Sequence, residues 1–224
     1  MHKLNEDTLA QQTTADYLRD AFAALGHDAW SNDLIPARNG GQHLQMCVKE
    51  AIRQGEWDII ILHPPCTALA VSGNSTYGTG MKKNHERKKA LEWTADLWRL
   101  AFMYCPRIAL ENPVGVLHEV LGKPTQYIQP YQFGHLEQKK TGLWLYGLSA
   151  LTPTNNVYEE MMKLPKNQRE RMHYLPPSPD RAKIRSETYS GVAKAMAEQW
   201  SKIVVDTPKS IPYNTPTGKG IIPA

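Results

Sequence analysis

The clearest pattern in the chain is Trp57-Asp58-Ile59-Ile60-Ile61-Leu62, a run that is apolar and β-branched almost throughout and is stopped by Pro64-Pro65. Such a run predicts a parallel strand buried on both faces, with the prolines forcing a loop at its C-terminal end. Arg107-Ile108-Ala109-Leu110 repeats the pattern in shorter form and is broken by Pro113. Leu143-Trp144-Leu145-Tyr146 reads as a further strand, and residues 27–32 as a short one ending near Asp33. Between these runs the period changes. Residues 13–25 carry Leu18, Phe22 and Leu25 at helical spacing and stop at Gly26, a natural C′ residue. Residues 86–104 place Leu91, Ala95, Trp98 and Phe102 along one stripe, and residues 186–204 form the last helix. Strands alternating with helices predict an α/β fold with a mainly parallel sheet and helices on both faces. Ligands of such sheets collect outside the carboxyl ends of the strands, where Asp33, the His63–Cys66 turn and Glu111 all fall. Residues 1–205 read as a single domain. Within it, residues 152–182, rich in Pro, Asn, Met and charge, read as an insertion or lid, and residues 206–224 read as a loosely held tail.

Composition narrows this reading. The 224 residues are 41% hydrophobic and 21% charged, the balance of a folded globular domain. No apolar run approaches the roughly 20 residues that span a bilayer, and Met1–Asp7 lacks the apolar core of a secretory signal. The expectation is therefore a cytoplasmic protein without a membrane partner. Three cysteines, Cys47, Cys66 and Cys105, argue against a disulfide framework and for a reducing compartment. The net charge of +4 decides little by itself. Its distribution is more telling: Lys82-Lys83-Asn84-His85-Glu86-Arg87-Lys88-Lys89 is one basic cluster. Lys163, Lys166, Arg169, Arg171, Arg181, Lys183 and Arg185 are spread over a second.

Two short motifs carry the candidate chemistry. Cys66 follows a buried strand and two prolines, so a rigid turn presents its thiol without a search for the right rotamer. A buried structural cysteine is the alternative. His63 invites a metal reading, but no second Cys or His pair completes a site, so none is expected. Glu111-Asn112-Pro113 sets a carboxylate at the next strand end, where it suits the hydrogen-bonding edge of a heterocycle and can protonate a ring nitrogen if its pKa is raised. A capping or surface salt-bridge glutamate is the alternative here.

Taken together, His63-Pro64-Pro65-Cys66-Thr67 and Glu111-Asn112-Pro113 resemble motifs IV and VI of the cytosine-C5 DNA methyltransferases, and most closely a compact, phage-associated branch without a separate recognition domain. The resemblance runs from about Arg19 to Trp200. It includes Gly26-His27-Asp28-Ala29-Trp30-Ser31-Asn32-Asp33, Gln129-Pro130-Tyr131-Gln132-Phe133-Gly134-His135, Lys139-Lys140-Thr141-Gly142-Leu143-Trp144-Leu145 and Ser190-Gly191-Val192-Ala193-Lys194-Ala195-Met196-Ala197. It implies a Rossmann-like methyltransferase fold and a covalent mechanism. Cys66 would add to C6 of cytosine while Glu111 protonates the N3 edge, making C5 nucleophilic toward the methyl group of S-adenosylmethionine. Pro65, Asn112, Pro113, Lys139 and Lys140 would line the base. The target would be flipped out of duplex DNA, with the glycine-bearing loop after Cys66 and the 82–89 cluster facing phosphates. Asp33, Pro64, Ser190 and Gly191 would face the methyl donor.

The donor half departs from the family pattern. Compact relatives read Val-Ala-Cys-Glu-Phe-Ser-Gly before the first helix, where this chain has Ala10-Gln11-Gln12-Thr13-Thr14-Ala15-Asp16. Asp16 thus replaces the glycine, and the acidic residue expected at Met46-Cys47 is absent. Two further readings follow: a pyrimidine-modifying enzyme with changed or lost donor use, acting on DNA or on nucleotides, and a non-catalytic DNA-binding or partner protein on the same scaffold. So small a recognition segment also points to short-context specificity or help from a homodimer or second subunit.

Overall fold

The computed structural model describes residues 6–179 and 181–206, a mixed α/β arrangement of helices and two small sheets. Helix α1 (Glu6–Ala23) ends in a turn whose Gly26 has φ +87, which favours glycine. The chain then forms β1 (Ser31–Asp33), β2 (His43–Gln45) and α2 (Val48–Gln54). β1 and β2 pair in parallel as a separate two-stranded sheet. The run at 57–62 shortens to β3 (Ile60–Leu62), because Trp57 folds back and its indole N–H donates to Ala51 O at 3.2 Å. A 3-10 turn and α3 (Asn74–Tyr77) lead into the long α4 (Asn84–Tyr104), which stops where Pro106 cannot continue it. β4 (Ile108–Pro113), α5 (His118–Leu121), β5 (Gln126–Ile128) and β6 (Thr141–Tyr146) follow.

The larger sheet has the order β3-β4-β6-β5. β3 and β4 are parallel, as expected, but β6 runs antiparallel to both β4 and β5. The expectation of a mainly parallel sheet is therefore corrected. Its physical reason is the link between β5 and β6, whose regular structure is a single 3-10 turn, whereas a parallel return requires a crossover, usually helical.

Helices cover both faces of this sheet. Ile108 and Leu110 point to one layer with Ile52, Leu91, Leu97 and Ala101, while Ala109 points to the other with Leu18, Val192, Met196 and Trp200. The last of these belong to α10 (Ser190–Asp206), whose apolar spacing buries one stripe. The segment expected as an insertion holds α6 (Tyr158–Met162), α7 (Lys166–Arg169) and α8 (Arg171–Tyr174), followed by α9 (Arg181–Ser186). The tail expected from residue 206 lies, from 207 onward, outside the described residues. Among the described residues no helix is long and apolar enough to cross a membrane.

Candidate active site

Strand register assembles the site. Leu62 is level with Leu110, so each residue that follows on β3 meets its counterpart on β4. His63 Nδ1 lies 2.9 Å from Glu111 Oε2, and Asn112 Nδ2 donates to Pro64 O at 3.0 Å. These two contacts tie the His-Pro-Pro-Cys turn to the Glu-Asn-Pro strand end. Asn112 is buried; its amide N–H fixes Pro64 in place, while its Oδ1 has no partner. Pro113 closes the strand opposite Thr141. Because β6 starts at Thr141 beside Pro113, Lys139 and Lys140 also arrive at this end of the sheet.

The turn after Cys66 is braced from below. Leu69 and Ala70 N–H groups both donate to Cys66 O, at 3.0 and 2.8 Å. Ala70 bridges to Gly115, where a Cβ would stand only 1.9 Å from Leu69 O, so no larger residue fits without moving backbone. Arg87 is buried and spans the loop: Nε donates to Ala68 O at 2.6 Å, Nη1 to Asn74 Oδ1 at 2.9 Å and Nη2 to Ala70 O at 3.4 Å. Thus one member of the basic cluster 82–89 is a structural clamp. Its neighbours Lys82, Lys83, Lys88 and Lys89 are exposed.

Residues 185–189, just beyond the expected lid, form the wall opposite. Thr188 Oγ1 lies 3.4 Å from Glu111 Oε2, Lys139 Nζ donates to Glu187 O at 3.2 Å, and Arg185 reaches Ser72 Oγ at 3.2 Å. Tyr189 donates its O–H to Glu137 Oε2 at 2.8 Å, and Glu137 in turn pairs with Arg171 at 3.0 Å. The two lysines part company here. Lys139 turns toward the site, whereas Lys140 is exposed, with its ammonium 4.3 Å from the centre of the Tyr127 ring.

Burial pushes the Cys66 thiol up from its ordinary value, and the Glu111 charge adds to this, while Lys139 and Arg185 oppose it. Burial also pushes Glu111 up, but hydrogen bonding and charge from His63, with Lys139 and Thr188, outweigh it and hold the carboxyl below the ordinary range. At neutral pH the resting site therefore holds a thiol beside a carboxylate. Alkylation of Cys66 by iodoacetamide should accordingly lag behind exposed Cys47 at pH 7.5 and climb only in alkaline solution. Lys139→Met removes a cation, so it should shift that rise to still higher pH. Peptide-resolved mass spectrometry measures both rates, and faster labelling of Cys66 than Cys47 at pH 7 would contradict this arrangement.

A second space, of about 670 Å³, opens between β1 and β3 and borders the same turn through His63 and Pro65. Asp33 lines it, nearly buried, with Oδ1 accepting from Leu34 N at 2.6 Å and Oδ2 without a partner. Burial raises the Asp33 pKa, against the pull of the Leu34 and Ile35 N–H groups. His63 Nε2 is also buried and unpartnered. Pro64, Ser190 and Gly191 are not brought to this space. Pro64 is held by Asn112, while Gly191 N donates to His135 Nε2 at 2.9 Å and packs on Phe133 O. Asp16, standing where the family pattern has glycine, is a buried hub that accepts from Arg19, Ser31 Oγ and Arg38 N at 2.9–3.0 Å.

Sequence reasoning passed over Arg87 as a clamp, Thr188 on Glu111, and His63 in any role but metal ligand. Only His63 left a signal, since strand register places the residue after Leu62 level with Glu111. Among the described residues no group of three or more His, Cys, Asp or Glu side chains is arranged to hold a metal ion. No protein-family model matches the chain, and no curated protein matches it significantly.

Proposed function

We propose that the protein modifies cytosine in DNA through a covalent adduct between Cys66 and ring carbon C6, on a Rossmann-like scaffold of the cytosine-C5 methyltransferase type. The observation that carries this reading is the pair of register contacts, His63 to Glu111 and Asn112 to Pro64. They hold a nucleophile-bearing turn and a carboxylate at one strand end, with the Lys139 cation in the field of both.

The chemistry follows from those groups. Cys66 gives up its proton, which Glu111 accepts, and the thiolate forms a bond to C6. The electron pair displaced from the C5–C6 bond moves through the ring to N3, which takes a proton delivered through Glu111. Because the resting Glu111 is a carboxylate facing the His63 Nδ1, it suits a relay: it accepts one proton and passes one on. The adduct is an enamine, nucleophilic at C5. After an electrophile is captured there, a base removes the C5 proton, N3 loses its own, and the C6–S bond breaks to restore the ring and the thiolate. Lys139 favours every step in which negative charge sits on sulfur or on the ring.

S-adenosylmethionine, the methyl source that the resemblance implies, fits this chain at one end only. The unpartnered Asp33 oxygen suits a ribose hydroxyl pair, and the 670 Å³ space is of ligand size. Asp16, in place of glycine, does not line that space and has its carboxylate already engaged. When bound, the group would supply the methyl electrophile. DNA as substrate is supported by the exposed Lys82, Lys83, Lys88 and Lys89 beside the loop that follows Cys66.

The test is nucleoside mass spectrometry of DNA and of nucleotide pools exposed to wild type and to Glu111→Gln, with and without S-adenosylmethionine. Donor-dependent 5-methylcytosine in DNA, lost in Glu111→Gln, is the expected result. A changed pyrimidine formed without donor, such as uracil from attack of water at C4, would keep the adduct and remove methyl transfer. Unchanged nucleosides in every arm would contradict the proposal.

A further inference from the structure

The two sheets lie on either side of one cavity. A parallel pair as short as β1–β2, three residues per strand, has little stability alone, and parallel strands occur almost only inside larger covered sheets. The outer edge of β1 and the outer edge of β3 both border the 670 Å³ cavity. Neither edge is paired among the described residues: β1 pairs with β2, and β3 with β4.

Peptide direction shows what these edges present. Ile60 N–H donates to Arg107 O, toward β4, so the alternating pattern turns the N–H and C=O of Ile61 the other way, into the cavity. On the opposite side Ser31 N–H donates to Gln42 O, toward β2, which turns Asn32 into the cavity likewise. Above and below lie apolar side chains of both helical layers: Leu18 and Phe22 on one face, Ile52 and Leu97 on the other. The space is therefore walled by unpaired backbone at its sides and by hydrocarbon over much of its faces, with the Asp33 carboxyl and His63 at the end beside the Cys66 turn.

Its size matches the same occupant. At a strand spacing of ~4.8 Å, a rise of ~3.3 Å and a layer thickness of ~10 Å, a residue in a buried sheet takes about 160 Å³. The 670 Å³ cavity thus has room for a short extended segment between the two strands. Residues 207–224 are poorly suited to fill it. They are interrupted by Pro208, Pro212, Pro216 and Pro223 and by Gly218 and Gly220, which sheet interiors avoid.

We infer that this cavity is a docking slot for an extended apolar segment of another polypeptide, which inserts between β1 and β3, pairs with Asn32 and Ile61, and joins the two sheets into one. Recognition is by backbone hydrogen bonds on both sides and by small or β-branched side chains above and below. A strand seated here takes the space offered above to S-adenosylmethionine, so the two occupants exclude one another. The inference does not depend on Cys66 attacking a pyrimidine, and its test reads no activity.

The test is residue-resolved hydrogen exchange on the full chain. In the free protein the Ile61 and Asn32 amides should exchange faster than those of Ile60 and Leu62. A pool of capped hexapeptides of Val, Ile, Ala and Gly, with terminal lysines for solubility, should slow Ile61 and Asn32 by about tenfold or more. The same pool N-methylated at alternate residues, which removes its donors, should slow neither. Ile61 already as slow as Leu62 in the free chain would overturn the inference. So would protection by neither pool, or equal protection by both.

Discussion

Cys66→Ala should abolish modification of cytosine, lowering turnover by at least about three orders of magnitude, as removal of a covalent nucleophile does. No other residue can take its place. Cys105 is fully buried, donates its S–H to Arg107 O at 3.1 Å, and is pushed up to about 11 by burial. Cys47 is exposed, lies at the start of α2 and has no contact with Glu111 among those that tie the site together. Thr67 is exposed, and its hydroxyl is a far weaker nucleophile than a thiolate. The substitution removes one partly buried sulfur atom, so the melting temperature should move by no more than about 2 °C. Product measured by mass spectrometry, with a thermal melt of the same sample, checks both halves. Wild-type turnover in the variant would remove Cys66 from the chemistry.

Arg87→Met should produce the larger structural effect. It leaves Ala68 O and Asn74 Oδ1 without this donor and takes from Ala70 O one of its two, the other being Gly73 N–H at 3.0 Å. Unmet buried acceptors cost about 1–3 kcal/mol each, and part of that cost is recovered where the loop relaxes to water, so a loss of about 3 kcal/mol is expected. For a chain of this length that lowers the melting temperature by about 6–12 °C. Lys88→Met and Lys89→Met, on exposed positions one and two residues away, should stay within about 0.5 kcal/mol of wild type. On the proposed function, those two instead weaken DNA binding and flatten its salt dependence. A melt series on the three variants separates a clamp from phosphate contacts. Three equal melting temperatures would contradict the role of Arg87.

Much of the site was legible because strand ends are punctuated. Pro64-Pro65 and Pro113 mark where two buried runs stop, and the rule that ligands gather at carboxyl ends brought Cys66 and Glu111 to one place. The antiparallel placement of β6 was not legible from Leu143-Trp144-Leu145-Tyr146. A buried apolar run carries no sign of its direction, and only the crossover-free link from β5 decides it. The basic cluster misled in a different way. Composition cannot tell an arginine that points inward from lysines that point out, and Arg87 is distinguished only by the carbonyl oxygens that converge on it. Lys139 and Lys140 differ for the same reason, as adjacent residues at a strand entrance face opposite sides. Thr188 was invisible, since its partner Glu111 lies 77 residues away along the chain. At Asp16 the sequence registered the loss of a glycine, and the structure adds what replaced it, a buried carboxylate that ties α1 to β1.

The central claim is that the Cys66 thiolate adds to C6 of a pyrimidine held against Glu111, and it is tested most directly without any methyl donor. An oligonucleotide carrying 2-pyrimidinone in place of one cytosine offers a more electrophilic C6 and forms a longer-lived adduct. Intact-protein mass spectrometry of the wild-type chain should show a gain equal to the oligonucleotide, mapped by digestion to the peptide bearing Cys66 and missing in Cys66→Ala. A wild-type mass that stays unchanged, or an adduct that persists in Cys66→Ala, would contradict the account.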